Sequence, residues 1–162
     1  MMLPWCQEVY QLLSREPTVG DLMELCEESY RHLIRMAPSL GRLRGSHHSQ
    51  LSDHMDLFLE VVEQSPYTSR VRLTHRFSST QDGEAAEPDA LLHVYHDARQ
   101  VEVLDLRQHV LPLDRLFQAP GLKNRWRANL FISRWLAFCA RIGHQFPSEH
   151  TPAVKPTLCT LP

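Results

Sequence analysis

Hydrophobic residues recur at three- and four-residue steps across positions 18–37, which is the spacing of an amphipathic helix. The apolar stripe consists of Leu22, Leu25, Cys26, Tyr30, Leu33, Ile34 and Ala37. Thr18 and Asp21 have the spacing of a capping box at its start. Pro38 ends the helix, because a proline disfavours helical angles at the residue before it. A shorter helical turn is predicted at 5–13.

Alternating apolar and polar residues predict two antiparallel strand pairs in the middle of the chain. The first pair spans 55–63 and 67–77, and the second spans 91–96 and 101–106. Strand 67–77 is predicted to turn Tyr67, Val71, Leu73 and Phe77 to the core and Thr68, Arg70, Arg72, Thr74 and Arg76 to the other face. In strand 55–63 the predicted core residues are Leu57, Leu59 and Val61, which leaves Asp56 and Glu60 to pair across with the arginines.

The last predicted helix spans 122–142 and ends at Gly143, a residue type favoured just after helix C-termini. Its predicted core face consists of Ala128, Ile132, Trp135, Leu136, Cys139 and Ile142. Loops are expected at 39–52, at an acidic mobile segment 78–89 and at an irregular segment 107–120. The four prolines after Gln145 predict a disordered tail.

This order of elements predicts an α+β fold. We expect an N-terminal helix, a four-stranded antiparallel meander and a long C-terminal helix in a two-layer sandwich. The length of 162 residues suits one domain at 18–144, with an N-terminal extension at 1–17 and a Pro-rich tail at 145–162.

Charge is divided unevenly along the chain. Residues 1–106 hold 17 acids against 9 basic residues, whereas residues 107–162 hold 2 acids against 8 basic residues. A fold that brings the two halves together gains electrostatic complementarity, which salt would screen. Any basic surface left over would favour anionic partners.

The cysteines and the N-terminus indicate a cytoplasmic protein. Cys6, Cys26, Cys139 and Cys159 form no closely spaced pair, so a reducing compartment is expected. The N-terminus lacks the basic start of a signal peptide, and no apolar run approaches the roughly 20 residues that a membrane span needs.

Several residue groups, in order, resemble a known family. They are Leu25-Cys26-Glu27 with Tyr30, Tyr67-Thr68, Tyr95-His96-Asp97-Ala98, and Asn129-x-Phe131 with Trp135-Leu136, Cys139 and Gly143. This set resembles the YqiB-like family of short bacterial proteins over residues 21–143. The resemblance implies a domain of unknown function in the bacterial cytoplasm and supplies no catalytic residues. Relatives usually open the last helix with an acidic stretch, where this chain has Lys123-Asn124-Arg125.

The last helix carries a one-sided set of basic residues, which we call the basic stripe: Lys123, Arg125, Arg127, Arg134 and Arg141. No acid occurs between Gly121 and His144. The spacing places most of the stripe opposite the core face, where it would bind an acidic protein or a phosphate-bearing ligand. In the alternative interpretation, acids such as Glu24, Glu27 and Glu28 neutralise it within the fold. The sequence pI of about 6.5 argues against nucleic acid as the partner.

A second candidate is the polar face of strand 67–77, where Arg70, Arg72 and Arg76 accompany Phe58 and Val62. Arginines mixed with apolar residues suit a protein interface. The alternative is an open sheet face with ordinary cross-strand ion pairs.

No catalytic or metal motif is evident. His96 and Asp97 are adjacent, so they point to opposite faces of an extended strand, and Asp97 suits a turn. His93 and His96 likewise face opposite sides, and His47, His48 and His54 lack ligand partners at useful spacing. No metal and no cofactor are therefore expected.

These observations favour a non-enzymatic binding or adaptor domain for an anionic ligand or acidic protein. The alternative hypothesis is a small hydrolase or a regulator linked to nucleotide metabolism. Its site would lie near Tyr95, His96 and the segment after Leu106. The oligomeric state is left open.

Overall fold

A computed structural model of the protein describes residues 3–76, 88–108, 111 and 121–147. Within these ranges the chain has an α+β fold with three α-helices and five antiparallel strands. The elements are α1 (Pro4–Leu12), α2 (Val19–Met36), β1 (Gly45–Ser49), β2 (Asp56–Gln64), β3 (Thr68–Arg76), β4 (Asp89–Tyr95), β5 (Gln100–Arg107) and α3 (Leu122–Ile142). Most of the predicted loops 78–89 and 107–120, and most of the predicted tail, lie outside the described residues.

The sheet is a meander in the order β1-β2-β3-β4-β5, so its strand count is five and the prediction of four was wrong. The extra strand, β1, lies in the segment 39–52 that was predicted to be a loop. Every residue of β1 is paired with β2, from Gly45 opposite Val61 to Ser49 opposite Leu57. Serine and histidine in β1 give no hydrophobic alternation, so backbone pairing with β2 defines this strand.

The prediction that Asp56 and Glu60 lie across from the arginines is confirmed, since Asp56 is opposite Arg76 and Glu60 is opposite Arg72. In β3 every second residue is buried, namely Ser69, Val71, Leu73 and His75. Tyr67 was placed in this core face wrongly: it precedes β3 in the turn and its side chain is 68% exposed. Phe77 lies beyond the described part of the strand.

The two long helices have the predicted bounds. Thr18 caps α2 by accepting a hydrogen bond from the Asp21 backbone N–H at 3.1 Å, and the Asp21 carboxylate accepts one from the Thr18 N–H at 2.8 Å. Gly143 ends α3 with a φ of 108°, a left-handed conformation that favours glycine. Both ends therefore follow local chemistry that the sequence shows.

The buried surface of α3 is wider than its predicted core face. Five further residues of this helix are buried: Trp126, Asn129, Leu130, Phe131 and Ser133. The reason is that α3 packs against α1 and α2 as well as β5. Helices and strands share one hydrophobic core; the two-layer sandwich stays a prediction.

The core also includes residues at both ends of the described chain. Trp5, Cys6 and Val9 of α1 are buried in it, although they lie in the predicted extension. Phe146 is 5% exposed, and its backbone N–H donates to the Met36 carbonyl at 2.8 Å. The free cysteines Cys6, Cys26 and Cys139 are all buried. None of the described helices has the length and hydrophobicity of a membrane span.

Candidate functional site

The N-terminal end of the basic stripe contacts the segment around α1. The Lys123 ammonium lies 3.2 Å from the Glu16 carboxylate. The Arg127 Nε donates a hydrogen bond to the Leu13 carbonyl oxygen at 2.9 Å. These cations therefore face another part of the same chain.

Arg134 sits between two carboxylates from different helices. Its Nε lies 2.7 Å from Glu8 of α1, and its Nη1 lies 3.3 Å from Glu28 of α2. The side chain is 27% exposed, so solvent reaches it only partly. Ser133 also donates to Glu28 at 3.1 Å, which fixes that carboxylate against α3.

The two remaining members of the stripe, Arg125 and Arg141, differ in their contacts. Arg125 forms an ion pair with Glu102 of β5. Arg141 is exposed, and its guanidinium lies 5.9 Å from the centre of the Phe138 ring. Of the acids that the sequence suggested as neutralising partners, Glu28 contacts the stripe; the other pairing acids are Glu8, Glu16 and Glu102.

The arginines of the sheet are also paired. Arg70 lies 3.5 Å from Glu63. The Asp89 carboxylate accepts from Arg72 at 3.2 Å, from Arg107 and from Thr74 Oγ1 at 3.0 Å. Asp89 is 7% exposed, whereas the side chain of Arg107 is 70% exposed, so the ion pairs join a buried carboxylate to guanidinium groups at the surface.

Arg76 belongs to a stack of side chains on the outer part of β2 and β3. Its guanidinium lies 4.1 Å from the centre of the Phe58 ring, and the His48 ring stacks on Phe58 at 4.3 Å. A hollow of about 350 Å³ beside this stack is lined by Arg72 and Arg76 but also by Glu60 and Asp89, so its formal charges balance. This geometry matches the alternative interpretation of the strand, an open sheet face with ordinary cross-strand ion pairs.

His96 takes part in a buried chain of hydrogen bonds. The Gln64 amide donates to the carbonyls of Leu40 and Leu43 at 3.0 and 2.9 Å, so its oxygen must accept, and Ser69 Oγ donates to it. The Ser69 hydroxyl has then used its proton, and His96 Nε2 must donate to Ser69 Oγ at 2.7 Å. Ser69 is 1% exposed, which keeps it from a substrate. This chain therefore ties the turn before β1 to the sheet.

The other histidine candidates have structural contacts. The His93 ring stacks on Tyr95 with centroids 4.3 Å apart. The Asp97 carboxylate accepts from the Ala98 backbone N–H at 2.9 Å, as expected of a turn residue. In the described residues no group of three or more His, Cys, Asp or Glu side chains could hold a metal ion.

A cavity of about 450 Å³ lies between the start of α1, the sheet and the end of α3, and we call it the Trp5–His75 cavity. Five segments surround it: the start of α1, the turn before β2, the end of β3, the residue before β4, and the end of α3. Its lining consists of Leu3, Trp5, Cys6, Asp53, His54, Met55, His75, Pro88, Phe138 and Ile142. The lining is mainly apolar, and its volume suits a small organic molecule.

The protonation of His75 follows from its neighbour Trp135. The Trp135 Nε1–H can only donate, and it donates to His75 Nδ1 at 3.3 Å. Burial, together with smaller effects of the nearby His144 and His54, lowers the pKa of His75 to about 4, so the ring is neutral at pH 7. The single ring proton must therefore be on Nε2.

Two residues that line the cavity have N–H groups without hydrogen-bond acceptors among the described residues. The groups are His75 Nε2–H and the indole Nε1–H of Trp5. Each side chain is 7% exposed. A buried donor without an acceptor costs about 1–3 kcal/mol. Both nitrogen atoms are enclosed by protein atoms, so these N–H groups lie in the packing around the cavity and not on its open surface.

Cysteine chemistry is not favoured in this cavity. Burial raises the pKa of the Cys6 thiol to about 11, so it stays protonated at pH 7, and the protonated thiol is a poor nucleophile. The geometry therefore supports binding.

Sequence reasoning missed this cavity because its lining comes from separate segments, each with another apparent role. Trp5 and Cys6 lie in the predicted extension. His75 lies in β3 between residues such as Thr74 and Arg76, so the sequence of this strand does not mark it as part of a cavity. The phase of β3 does place His75 on the face of Val71 and Leu73. The position of this histidine on the core face of β3 was the one feature of the sequence that could have indicated the cavity.

Residues 32–145 match the model of a family described as a protein of unknown function (DUF1249). The chain belongs to this family. The DUF1249 match starts within α2 and ends after α3, so it includes His75 and Phe138 of the cavity but excludes Trp5 and Cys6. No curated protein and no solved structure matches the chain.

Proposed function

We propose that this protein is a binding domain for a small, largely apolar organic molecule, held in the Trp5–His75 cavity. One observation carries the proposal: a mainly apolar cavity of about 450 Å³ lies between the start of α1, the sheet and the end of α3. Apolar pockets with a few polar groups are the usual form of small-molecule sites.

The energetics favour an occupant with apolar area. Apolar surface removed from water contributes about 25 cal/mol per Å². This gain requires no chemical step, which agrees with a non-enzymatic domain.

This proposal keeps the predicted class of function, a binding domain, and changes its site. Most members of the basic stripe, and both Arg70 and Arg72, have partners within the chain. Recognition of an acidic protein or phosphate-bearing ligand by these arginines stays a prediction. The resemblance to YqiB-like bacterial proteins supports a cytoplasmic setting.

Thermal unfolding with apolar probes tests the proposal. Naphthalene, indole and acetophenone are titrated separately, and the unfolding temperature should rise with concentration for those that enter the cavity. A ligand at 100 times its Kd stabilises the native state by about 2.7 kcal/mol.

A matched pair of variants locates the binding. Ile142→Phe enlarges a side chain of the cavity lining and should weaken every probe. Ile34→Phe makes the same change at another half-buried isoleucine, which packs against the core away from the cavity, and should leave probe binding intact. Absence of any probe effect on the unmodified protein, or equal weakening by both variants, would contradict the proposal.

A further inference from the structure

We infer a second ligand site, which takes the carboxylate of a small organic acid, in a hollow beside the turn between β4 and β5. The hollow has a volume of about 270 Å³, and we call it the Arg31–Arg99 hollow; it is lined by Glu27, Tyr30, Arg31, Ala98 and Arg99. It shares no lining residue with the Trp5–His75 cavity, and the two sites lie near opposite ends of β4. The inference therefore goes beyond the proposed function and does not depend on it.

The two arginines of this hollow have no carboxylate partner within the described part of the chain. Both are exposed, so a molecule in solvent can reach them. Most cations of the basic stripe and of the sheet differ in this respect, because they contact a carboxylate. Arg31 lies on α2 and Arg99 lies in the turn after β4. The fold thus brings two unpaired cations from separate elements to one hollow.

Tyr30 holds the Arg99 side chain at the hollow. The Arg99 guanidinium carbon lies 5.6 Å from the centre of the Tyr30 ring. This ring is 8% exposed and meets the His96 ring edge-on, with centroids 6.2 Å apart. A cation–π contact uses none of the N–H donors of a guanidinium group, so these donors stay available to an acceptor.

The backbone of Arg99 indicates that its side chain has a role outside the turn. Arg99 has a φ of 56°, in the left-handed region that glycine adopts readily and arginine does not. A glycine would therefore make the same turn with less strain. Residues held in such conformations occur preferentially at ligand-binding and catalytic sites.

The charge of the lining favours a carboxylate over a phosphate. Two arginines and Glu27 give the lining a formal net charge of +1. A carboxylate carries one negative charge and balances it, whereas a phosphate group carries about 1.5 to 2 at pH 7 and would place excess negative charge beside Glu27. The donor fork of a guanidinium group also matches the two oxygens of a carboxylate.

Acetate, acetamide and inorganic phosphate test the site on the unmodified protein. Acetamide has the shape of acetate without its charge. Each compound is titrated at pH 7.5 with the ionic strength held constant by sodium chloride, while NMR follows the backbone amide resonances of Ala98 and Arg99. Acetate should give saturating shifts, acetamide should give none, and phosphate should bind more weakly than acetate.

Three variants locate the bound acetate. Arg31→Gln and Arg99→Gly should each weaken its binding by about two- to fivefold, the range of exposed ion pairs. Glu27→Gln removes a competing carboxylate and should strengthen binding by a similar factor. Arg35→Gln is the matched control, because Arg35 is exposed on the same helix but does not line the hollow, and it should leave the affinity unchanged.

Arg99→Gly also separates a ligand-binding role from a structural one. Because glycine relieves the left-handed strain, this variant should unfold at the same or a higher temperature than the unmodified protein, while it binds acetate more weakly. A lower unfolding temperature with unchanged acetate affinity would show that Arg99 only covers Tyr30, and the inference would fail.

The remaining outcomes are equally decisive. Shifts that do not saturate with acetate, or equal weakening by Arg31→Gln and Arg35→Gln, would overturn the site. Tighter binding of phosphate than of acetate would overturn the carboxylate class. None of these results bears on the Trp5–His75 cavity, which is tested with different probes.

Discussion

At the scale of single residues, Arg134 shows how a cation predicted for a partner can serve the fold. Its guanidinium contacts Glu8 and Glu28, which lie on two different helices. These acids are 126 and 106 positions away in sequence, so no local pattern could pair them with Arg134. By contrast, the capping pair of Thr18 and Asp21 was predictable, since its members are three residues apart.

Arg134→Glu should destabilise the protein by about 1–2 kcal/mol, because two partly exposed ion pairs are lost and a third carboxylate joins two others. Arg141→Glu is the matched control. Arg141 is exposed and has no carboxylate within ion-pair distance in the described structure, so its effect should stay within about 0.5 kcal/mol. Urea unfolding measures both variants. Equal stability losses would contradict the assignment of Arg134 as an internal link.

At the scale of elements, α3 had predictable ends but unpredictable neighbours. Its apolar periodicity and Gly143 define where the helix lies, whereas its burial depends on α1, α2 and β5 packing around it. Asn129 illustrates the difference. It lies on α3 and is 2% exposed, and its side-chain oxygen accepts from the backbone N–H of Val103 in β5 at 3.2 Å.

Asn129→Ala should cost about 1–3 kcal/mol, because the Val103 N–H on the last strand of the sheet loses its buried acceptor. Amide hydrogen exchange locates the effect. Exchange at Val103 should accelerate beyond the change in global stability, while Val101 of the same strand serves as the internal control. Unchanged protection at Val103 would show that this bond does not hold α3 to β5.

Strand β1 is the element that sequence reasoning missed. Its residues Gly45 to Ser49 have little β propensity, and only Ser49 is buried. The strand forms because β2 offers unpaired backbone groups along its edge, and hydrogen bonds between backbones do not depend on side-chain pattern. Periodicity therefore found the four strands in which hydrophobic and polar residues alternate and missed the one that has no hydrophobic residue.

At the scale of the whole molecule, the uneven charge along the chain is balanced by folding. Basic residues of α3 pair with acids at Glu8, Glu16, Glu28 and Glu102 from the acidic part of the sequence. These ion pairs thus provide the electrostatic complementarity that was expected between residues 1–106 and residues 107–162. The sequence does not show which cations are left without a partner, because this depends on where α1 packs.

Stability should fall as the pH drops from 6.5 towards 4. Burial lowers the pKa of His75 to about 4 and also lowers the pKa of His32, His96 and His144. In the unfolded chain these rings bind protons near pH 6.5, so acid favours unfolding. The contribution of His75 amounts to about 3 kcal/mol above pH 6.5 and is lost progressively as the pH falls through 4.

Urea unfolding at a series of pH values measures this dependence. His75→Gln cannot titrate, so its stability should change less between pH 6.5 and 4 than that of the unmodified protein. His47→Gln is the control, because His47 is only half-buried on the edge strand β1, and this variant should keep the full dependence. The same slope in both variants would mean that His75 is not buried as a neutral ring.

The sequence alone determined the α+β class, the bounds of α2 and α3 to within one residue, and which of Leu57, Leu59, Val71 and Leu73 face the core. These features depend on capping, helix-ending glycine and hydrophobic period, which act over a few neighbouring residues. Only the tertiary structure decided the path of α1, the pairing of the basic stripe and the Trp5–His75 cavity. Each of these joins segments far apart in sequence, and the free energy of such contacts depends on packing geometry that local pattern does not encode.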